Sequence, residues 1–448
     1  MKKEINQEVL EESILLLSTI KWIFLSIFVG TVVGGVTALF LNTLAYGTEK
    51  AAEWPYYYLF MPIAFFLSSW MVLRFAPDAA GHGTEKVIES IHKKNGKIDV
   101  KVVPIKVFAT LVTLISGGSA GKEGPSAQIG AGIASAFSDL FRFNEDDRRR
   151  FVICGISAGF AGVFGTPIAG AIFAAEVLFI GKFSYRVLLP SLISAYVSFH
   201  INEYLGVKHF KYAIQVPAKS EISMFFYLIL FGILIGLISL LLIKALHIIE
   251  AYFQYSLKIY KPLKGFIGGF ILIFIVLLTH SKDYIGLGTY VIDQALAGHK
   301  VDSLSFFIKI FTTSVTLGSG GSGGILTPVF YIGSTLGNAW AQLIHGDLAM
   351  YSAIGMVSFL AASANTPLAA IIMAMELFGV KVATYASIVS VISYLVVGHR
   401  SVYPSQILSM SKSPSIDTDI NCEIRQIQKL RLSNKMHVLL HNQKEKDN

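Results

Sequence analysis

The sequence has few charged residues and almost no cysteine. Of its 448 residues, 15% are Asp, Glu, Lys or Arg and 53% are hydrophobic, and the mean hydropathy is +0.60. Soluble domains carry about 25% charged residues, so this composition excludes an ordinary soluble protein and indicates a membrane protein. The two cysteines, Cys154 and Cys422, exclude a disulfide framework and a cysteine-based metal cluster. No cofactor is expected.

The long runs without charge predict an all-α polytopic membrane protein. Runs long enough to cross about 30 Å of hydrocarbon include Trp22 to Tyr46, Tyr56 to Leu73, Ile222 to Ile243 and Phe266 to Thr279. Other apolar segments, such as Val152 to Ile180, are interrupted by glycine or proline. Broken and tilted helices of this kind are tolerated only where they are buried in protein or line a cavity.

The sequence pattern divides the chain into four parts. Residues 1–21 mix acids, lysines and helically spaced apolar residues, which predicts an amphipathic N-terminal helix at the membrane interface. Residues 22–200 and 201–410 are predicted to form a first and a second membrane repeat. Residues 411–448 are predicted to form a short polar tail, which is too small for another folded domain.

The formal net charge is +8, and basic residues concentrate in a few loops. Three such loops are His92 to Lys106, Arg142 to Arg150 and Lys258 to Lys264. Basic loops favour the cytoplasmic side of a membrane and attract anionic lipids. We therefore interpret the charge as a sign of membrane topology in a multi-pass protein of the cell membrane, and we expect no nucleic-acid partner.

Two segments of the chain are repeated. Ser116 to Gly130 matches Ser319 to Gly333 without gaps, with eight identities in fifteen positions, where about one is expected by chance. Gly165 to Glu176 likewise matches Asn365 to Glu376. Paired segments interrupted by glycine and proline, at corresponding places in two halves of a membrane protein, indicate a substrate site near the bilayer midplane. The two halves are therefore predicted to be inverted-topology repeats.

The repeated segment has the chemistry of an anion site. Its glycines and Pro125 can begin a helix, and the first turn of a helix presents unpaired N–H groups and about half a positive charge. The same holds for Gly320 to Pro328 in the second copy. Two such helix starts that face each other would hold a dehydrated anion between them. On this hypothesis the anion is held without a full positive charge.

Glu123 is an acid inside an apolar segment, next to this predicted helix start. A buried acid costs a few kcal/mol unless it is satisfied or functional. In one interpretation its carboxylate occupies the place of the anion and leaves when it is protonated, as a gate that also carries a proton. In the other it caps a helix or pairs with Lys122. Its counterpart in the second copy is Leu326, so the repeated scaffold does not itself require an acid there.

These motifs resemble those of the CLC family of chloride channels and chloride/proton antiporters. Gly121 to Pro125 matches the G(K/R)EGP motif of that family, in which Glu123 falls on the gating glutamate. Gly324 to Pro328 resembles the GxFxP motif, and Tyr403 falls on the pore tyrosine. The likeness covers about Trp22 to Leu408. It implies a homodimer with one anion pathway per subunit, two inverted halves, and anion contacts from helix ends.

The resemblance also implies which residues contact the anion, largely through backbone amides. The expected set belongs to three helix starts and one tyrosine: His82, Gly83, Thr84, Gly121, Lys122, Gly124, Ile325, Leu326, Thr327 and Tyr403. Such contacts replace the water around an ion at modest strength, so that the ion binds and still leaves. Glu123 is expected to gate this site and to exchange protons.

Three departures from the family motifs bear on the transported anion and on the mechanism. The GSGxP motif aligns with Gly81 to Glu85, so that His82 replaces the anion-contacting serine and Glu85 replaces the proline. Leu326 replaces the phenylalanine of GxFxP. Val177 replaces the second of two adjacent acids that family antiporters often carry, and that second acid is their internal proton acceptor. A channel and an anion/proton antiporter are both compatible with this sequence.

Glu176 precedes Val177 and has a repeat twin in Glu376. Duplicated acids at equivalent places suggest a requirement of the fold. We therefore expect both carboxylates to make buried capping bonds.

Two other classes of protein fit parts of the sequence. Gly117 to Gly121 and Gly320 to Gly324 both satisfy GxSxG, the motif of a serine hydrolase, but a nucleophile needs one base and this motif occurs twice. A cation-coupled solute transporter would need more intramembrane acids or hydroxyls than the sequence supplies. The sequence therefore predicts a transporter of small inorganic anions, with chloride as the first candidate, and not an enzyme.

Overall fold

The computed structural model describes residues 2–209, 212, 214, 222–428 and 430–432. In the first half of this described chain, the helices range from 10 to 51 residues in length. They are α1 (Lys2–Ala52), α2 (Met61–Phe75), α3 (Thr84–Lys93), α4 (Val102–Ile115), α5 (Glu123–Leu140), α6 (Glu145–Phe164), α7 (Pro167–Glu176) and α8 (Leu188–Tyr204).

The second half of the described chain repeats this order of helices. They are α9 (Ile222–Ala251), α10 (Lys261–Thr279), α11 (Thr289–Leu296), α12 (Ser305–Ser319), α13 (Leu326–Ile344), α14 (Leu348–Ala364), α15 (Pro367–Phe378) and α16 (Val380–Val396). Short 3-10 helices at Tyr57–Phe60, Pro77–Ala79, Tyr185–Val187 and Ile424–Gln426, and a π-helical turn at Tyr252–Ser256, complete the helical structure.

Among the described residues, four helical segments are long and apolar enough to cross a membrane. They are Leu10–Ala52, Tyr57–Phe75, Ile222–Ser256 and Lys261–Thr279. The four spans named from the sequence correspond to them, although Tyr56 lies just before the second helical segment. The other apolar helices have 10–17 residues, as expected for segments that begin or end inside the protein. The prediction of an all-α polytopic membrane fold is confirmed.

The two halves pack in the same way. Helix α5 packs on α6 as α13 packs on α14, and α1 packs on α8 as α9 packs on α16. Both central pairs cross at glycines, because a Cβ on Gly130 would lie 2.2 Å from Gly155 O, and a Cβ on Gly333 would lie 2.4 Å from Gly355 O. Small residues let the backbones of membrane helices approach closely. The duplicated glycines therefore set the same helix crossing in each half.

Two of the boundaries drawn from the sequence are not breaks in secondary structure. Helix α1 continues through Lys21 and Trp22, where an N-terminal interfacial helix was predicted to end. The mixed charges before Trp22 suggested a separate helix, but the helical spacing of the apolar residues continues unbroken into the span. Helix α8 ends at Tyr204 rather than at residue 200.

Part of the predicted polar tail forms short strands. The strands are β1 (Phe179–Ile180), β2 (Ile407–Leu408), β3 (Ile416–Thr418), β4 (Cys422–Glu423) and β5 (Leu430–Leu432). Strand β2 pairs with β1 in parallel and with β4 antiparallel, and β3 pairs with β5. The segment after α16 is thereby fixed against the chain that follows α7. Residues 433–448 of the predicted tail lie outside the described residues.

Candidate anion-binding site

The two glycine loops of the repeats meet backbone to backbone at the centre of the protein. Gly121 N donates to Gly324 O at 2.7 Å, and Gly324 N donates to Gly121 O at 2.6 Å. A Cβ on Gly324 would lie 2.7 Å from Gly124 N, so only glycine fits there. This contact brings the first turns of α5 and α13 together, as predicted from the repeat.

Glu123 is the first residue of α5, and its side chain reaches the first turn of α13. It is 2% exposed. Its Oε1 accepts a hydrogen bond from Thr327 Oγ1 at 2.6 Å, and its Oε2 accepts one from Thr327 N at 3.1 Å. Thr327 N belongs to the helix-start amides that have no partner within their own helix. The carboxylate therefore occupies the position where the sequence predicts an anion, and it binds Thr327 rather than Lys122.

The loop before α3 forms a third wall of the site. Gly81 and Gly83 have φ angles of +76° and +79°, a conformation that glycine adopts without strain. A Cβ on Gly83 would lie 2.4 Å from Gly124 O, and a Cβ on Gly124 would lie 2.1 Å from His82 O. The loop therefore lies directly against the start of α5. His82 Nδ1 and Thr84 Oγ1 are buried without a hydrogen bond to any described residue.

Tyr403 lies in the segment that follows α16. It is 1% exposed. Its backbone N–H lies outside any helix and donates to Ser401 Oγ at 3.0 Å. Its hydroxyl lies within interaction range of the Thr84 side chain and of Glu123. The structure thus brings the predicted tyrosine to the helix starts of α3 and α5, although it is far from them in sequence.

The remaining predicted contact residues lie at the same helix starts. Ile325 and Leu326 are fully buried where α13 begins. Lys122 is the residue before α5 and is half-buried. His82 is half-buried and reaches the site through its backbone carbonyl, which touches Gly124.

A buried lysine supports the Gly81 loop in the first half and the Gly286 loop in the second. Lys106 was assigned from the sequence to a basic loop but lies inside α4, and Lys309 was not singled out. Lys106 Nζ donates to Gly81 O at 2.8 Å and to Ala79 O at 3.1 Å. Lys309 Nζ donates to Gly286 O at 2.8 Å in the second half. Both lysines are fully buried. A lysine at the same place in two otherwise apolar helices was the available signal. Each ammonium group binds loop carbonyls, so the expectation that helix starts hold the anion without a full positive charge stays a prediction.

The loops that the lysines hold are themselves repeated. Gly81 to Thr84 reads GHGT and Gly286 to Thr289 reads GLGT, and each stands directly before a short helix, α3 or α11. This third repeated motif was also missed, because four residues are too few to stand out in a long chain. It places a histidine in one half and a leucine in the other.

The serines of the two GxSxG motifs are structural. Ser119 Oγ lies 3.0 Å from Thr313 Oγ1, and Ser119 N donates to Thr316 Oγ1 of the same helix, α12, at 3.1 Å. The serine of the second half, Ser322, has its Oγ 3.1 Å from Thr110 Oγ1 in α4 of the first half. Each serine therefore joins its loop to a helix of the opposite half. Their hydrogen bonds are with threonines rather than with a histidine base, which does not fit a hydrolase.

Glu176 and Glu376 cap helices of the opposite half. The Glu176 carboxylate accepts from Leu368 N at 3.1 Å and from Ala369 N at 2.9 Å, at the start of α15. The Glu376 carboxylate accepts from the equivalent amides at the start of α7, at 3.0 and 2.8 Å. The prediction of capping bonds is confirmed for both acids, and the prediction of burial is confirmed for Glu176, whereas Glu376 is half-buried. Val177, next in sequence, is fully buried and has no titratable group.

Comparison with known proteins gives a consistent result over most of the chain. The family model described as voltage gated chloride channel matches residues 64–398. The chain is 36% identical over 397 residues to a chloride/fluoride channel protein of Pseudomonas syringae pv. tomato, over 88% of this chain and 87% of that protein. It is 28% identical over 384 residues to the H(+)/Cl(-) exchange transporter ClcA of Vibrio cholerae, over 79% of this chain and 81% of that protein.

Solved structures show the same fold. The crystal structure of a CLC-type fluoride/proton antiporter has a TM-score of 0.82 and 29% sequence identity, over 86% of this chain and 97% of that chain. A slow cyanobacterial Cl-/H+ antiporter, at 23% identity, has a TM-score of 0.74 over 84% of this chain and 94% of that chain.

Proposed function

The chain belongs to the voltage gated chloride channel family, the CLC family, and on this basis we propose that it exchanges a small halide anion for protons, with Glu123 as the gate. Chloride is the anion expected from the sequence. Fluoride is the second candidate, because a 36% identical relative is a chloride/fluoride channel protein and a similar structure is a fluoride/proton antiporter. His82 in place of the family serine fits a departure from strict chloride selectivity.

The position of the Glu123 carboxylate supports this function. An ionised carboxylate at the start of α13 takes the hydrogen bonds from Thr327 that a transported anion would take. Protonation removes the charge that the helix start stabilises, so the side chain leaves and an anion can enter. The departing side chain carries a proton. One residue thereby opens the pathway and couples the two ions.

The other groups around the site position the anion. The helix starts of α3, α5 and α13 supply backbone amides, and Tyr403 supplies a hydroxyl at the same place. Lys106 holds the Gly81 loop in the conformation that aims the start of α3 at Gly124. Amides and hydroxyls bind an ion more weakly than a directly coordinating cation would, which allows release.

Purified protein in liposomes provides the test. An outward anion gradient is imposed, and anion efflux and proton uptake are recorded together for chloride, fluoride, bromide and nitrate. The wild-type protein should take up protons as the anion leaves, and Glu123→Gln should pass anions at a rate that no longer depends on pH. The exposed Glu49→Gln serves as the matched control and should behave as wild type.

Two results of this assay would contradict the proposal. Robust anion efflux without proton uptake by the wild-type protein would identify a channel. A Glu123→Gln variant that keeps the pH profile of the wild type would remove Glu123 as the gate. The relative rates for chloride and fluoride decide between the two candidate anions.

We further propose that the protein works as a homodimer in the cell membrane, as the family resemblance implies. Exposed apolar residues on α7, α8, α15 and α16 would suit such a contact, among them Ile168, Leu189, Leu368 and Leu395. Cross-linking in native membranes should yield a dimer. A protein that remains monomeric in membranes, as measured by single-molecule bleaching, would refute this assembly.

A further inference from the structure

Glu85 makes a contact that its place in the sequence does not suggest. It is the second residue of α3, at the position where the family motif has proline. Its Oε1 accepts hydrogen bonds from Ser405 Oγ at 2.5 Å and from Ser405 N at 3.1 Å. Ser405 follows Tyr403 by two positions. The carboxyl group therefore connects the start of α3 to the segment that presents the predicted pore tyrosine.

The direct hydrogen-bond donors to Glu85 within the described chain are neutral. They are a hydroxyl and a backbone amide, whereas the nearby Arg425 is bound to Glu89 at 3.0 Å and to Glu423 at 2.6 Å. A carboxylate held by neutral donors can accept a proton without breaking an ion pair of its own.

Glu85 stands between groups at the surface and groups at the anion site. The charged residues that act on its carboxyl group are Arg425 and Glu89, both partly exposed. On the other side, the Tyr403 hydroxyl is within electrostatic reach of both Glu85 and Glu123. Helix α3 runs from the candidate anion site to Lys93, and the exposed Lys94 and Lys97 follow it. This positive charge favours the cytoplasmic side of the membrane.

The usual internal acid of family antiporters is absent here. Its position is Val177, whose side chain is fully buried and whose carbonyl accepts a hydrogen bond from Gln406 Nε2 at 2.8 Å. The segment that contains Tyr403, Ser405 and Gln406 therefore contacts both the vacant acid position and Glu85. On this side of the candidate site, Glu85 is thus a carboxyl group joined by hydrogen bonds to the segment that carries Tyr403.

We propose that Glu85 is the cytoplasmic proton-binding site of the transport cycle. This role rests on the proposed anion/proton exchange. A proton from water at the Glu89–Arg425 surface binds a Glu85 carboxylate oxygen, and the neutral acid then passes it to the Tyr403 oxygen. Tyr403 gives its own hydroxyl proton to Glu123. One O–H bond forms for each that breaks, and one proton moves for each relay.

Two variants separate the acid from the clamp that it forms. Glu85→Gln keeps an oxygen that accepts from Ser405 but cannot bind a proton. Ser405→Ala removes the hydroxyl donor of the clamp, leaves the backbone N–H donor and keeps the acid. In the liposome assay, Glu85→Gln should pass anions while the ratio of protons to anions falls by roughly 100-fold, within the range that a positioned acid contributes. Ser405→Ala should keep the proton-to-anion ratio of the wild type.

Each outcome of this experiment supports or overturns the role of Glu85. An unchanged ratio in Glu85→Gln would overturn it, and so would a loss of coupling in Ser405→Ala as large as that in Glu85→Gln, since the clamp would then be the cause. If Glu85→Gln does not fold, Glu85→Asp decides: coupled exchange at a changed rate supports the role, and anion flux without protons overturns it. Failure of the wild type to move protons would instead overturn the proposed exchange itself, and this is seen before any variant is made.

Discussion

The start of α5 and the start of α13 are built alike but differ where the anion is expected. Each glycine loop is fixed to threonines of the opposite half, and each half has a buried lysine that binds loop carbonyls. Yet Glu123 stands in the first half where Leu326 stands in the second. Residues that the halves share therefore maintain the scaffold. Residues in which they differ, such as Glu123 and Leu326, are candidates for a role in function.

The same contrast holds for the loops before α3 and α11. Both loops have two glycines with positive φ and then a threonine that begins the helix. After the threonine, the first half has Glu85, which binds Ser405, and the second half has Tyr290, which is exposed. The helix that approaches the anion site thus acquires an acid, and its twin does not.

The shared capping acids should matter equally in both halves. Glu176→Ala and Glu376→Ala each remove two hydrogen bonds to a carboxylate at a helix start. Since a hydrogen bond to a charged group contributes about 1.5–3 kcal/mol, each variant should lose about 3 kcal/mol of unfolding free energy or more. Thermal unfolding in detergent measures this, with the exposed Glu49→Ala as control. A large loss in only one of the two variants would break the symmetry of the scaffold.

The shared lysines should separate stability from function. Lys106→Met and Lys309→Met should both destabilise the protein, because each leaves loop carbonyls without a donor. Only Lys106 holds the loop that touches Gly124, so only Lys106→Met should weaken anion binding, by about tenfold or ~1.4 kcal/mol. Isothermal titration calorimetry in detergent measures the affinity. An equal loss of affinity in Lys309→Met would show that both loops face the anion.

Thr327 should set the pH at which the gate opens. Thr327→Val keeps the shape of the side chain but removes the hydroxyl that donates to Glu123 at 2.6 Å. A hydrogen bond to a charged group contributes about 1.5–3 kcal/mol and one pH unit corresponds to about 1.4 kcal/mol, so the pH of half-maximal anion flux should rise by about 1–2 units. The control is Thr335→Val on the same helix, whose hydroxyl binds only backbone. No shift in Thr327→Val would mean that the carboxylate is not held there during transport.

The smallest effect is expected at the surface network that ties the C-terminal segment to α3. Burial alone would raise the pKa of Glu89, but hydrogen bonds from Lys86 and Arg425 lower it to about 2. The bond from Arg425 therefore stabilises the folded protein above the unfolded pKa of about 4.3, and this contribution is lost as the pH falls toward 2. Because the pair is partly exposed, Arg425→Gln should lower the free energy of unfolding by less than about 1 kcal/mol near neutral pH.

Thermal unfolding of Arg425→Gln and wild type at two pH values checks the sign of this effect. The difference between the two proteins should be present near neutral pH and should shrink in acid. A difference that grows in acid would contradict the assignment. Glu89→Gln removes one of the two carboxylates that Arg425 binds and should reduce the pH dependence of the difference, and the remainder comes from Glu423.

The sequence predicts the parts of the site that are local or duplicated. The glycine-opened helix starts, Glu123 and the capping pair Glu176 and Glu376 follow from repeated segments, since a duplicated pattern reveals what the scaffold requires. The role of Tyr403 as an anion contact was predicted only from the family resemblance. Nothing in its neighbourhood in the sequence indicates that it meets α3.

The parts that could not be predicted depend on contacts between distant segments. Glu85 and Ser405 lie in opposite halves, and no periodicity links them. Lys106 and Lys309 were visible as charges in apolar helices, but their role follows only from the loop carbonyls that surround each ammonium group. The continuity of α1 was not predicted, because the charged residues before Trp22 indicated a separate helix at the membrane interface.

The paired backbone hydrogen bonds between Gly121 and Gly324 limit how this protein can move. Many carriers expose their cargo to each side in turn by rocking one half of the molecule against the other. Here the halves touch at the candidate anion site, with no room for one more carbon atom at either glycine. Rocking of one half against the other would break these two hydrogen bonds. For the proposed exchange, this contact favours movements of side chains over movements of whole halves.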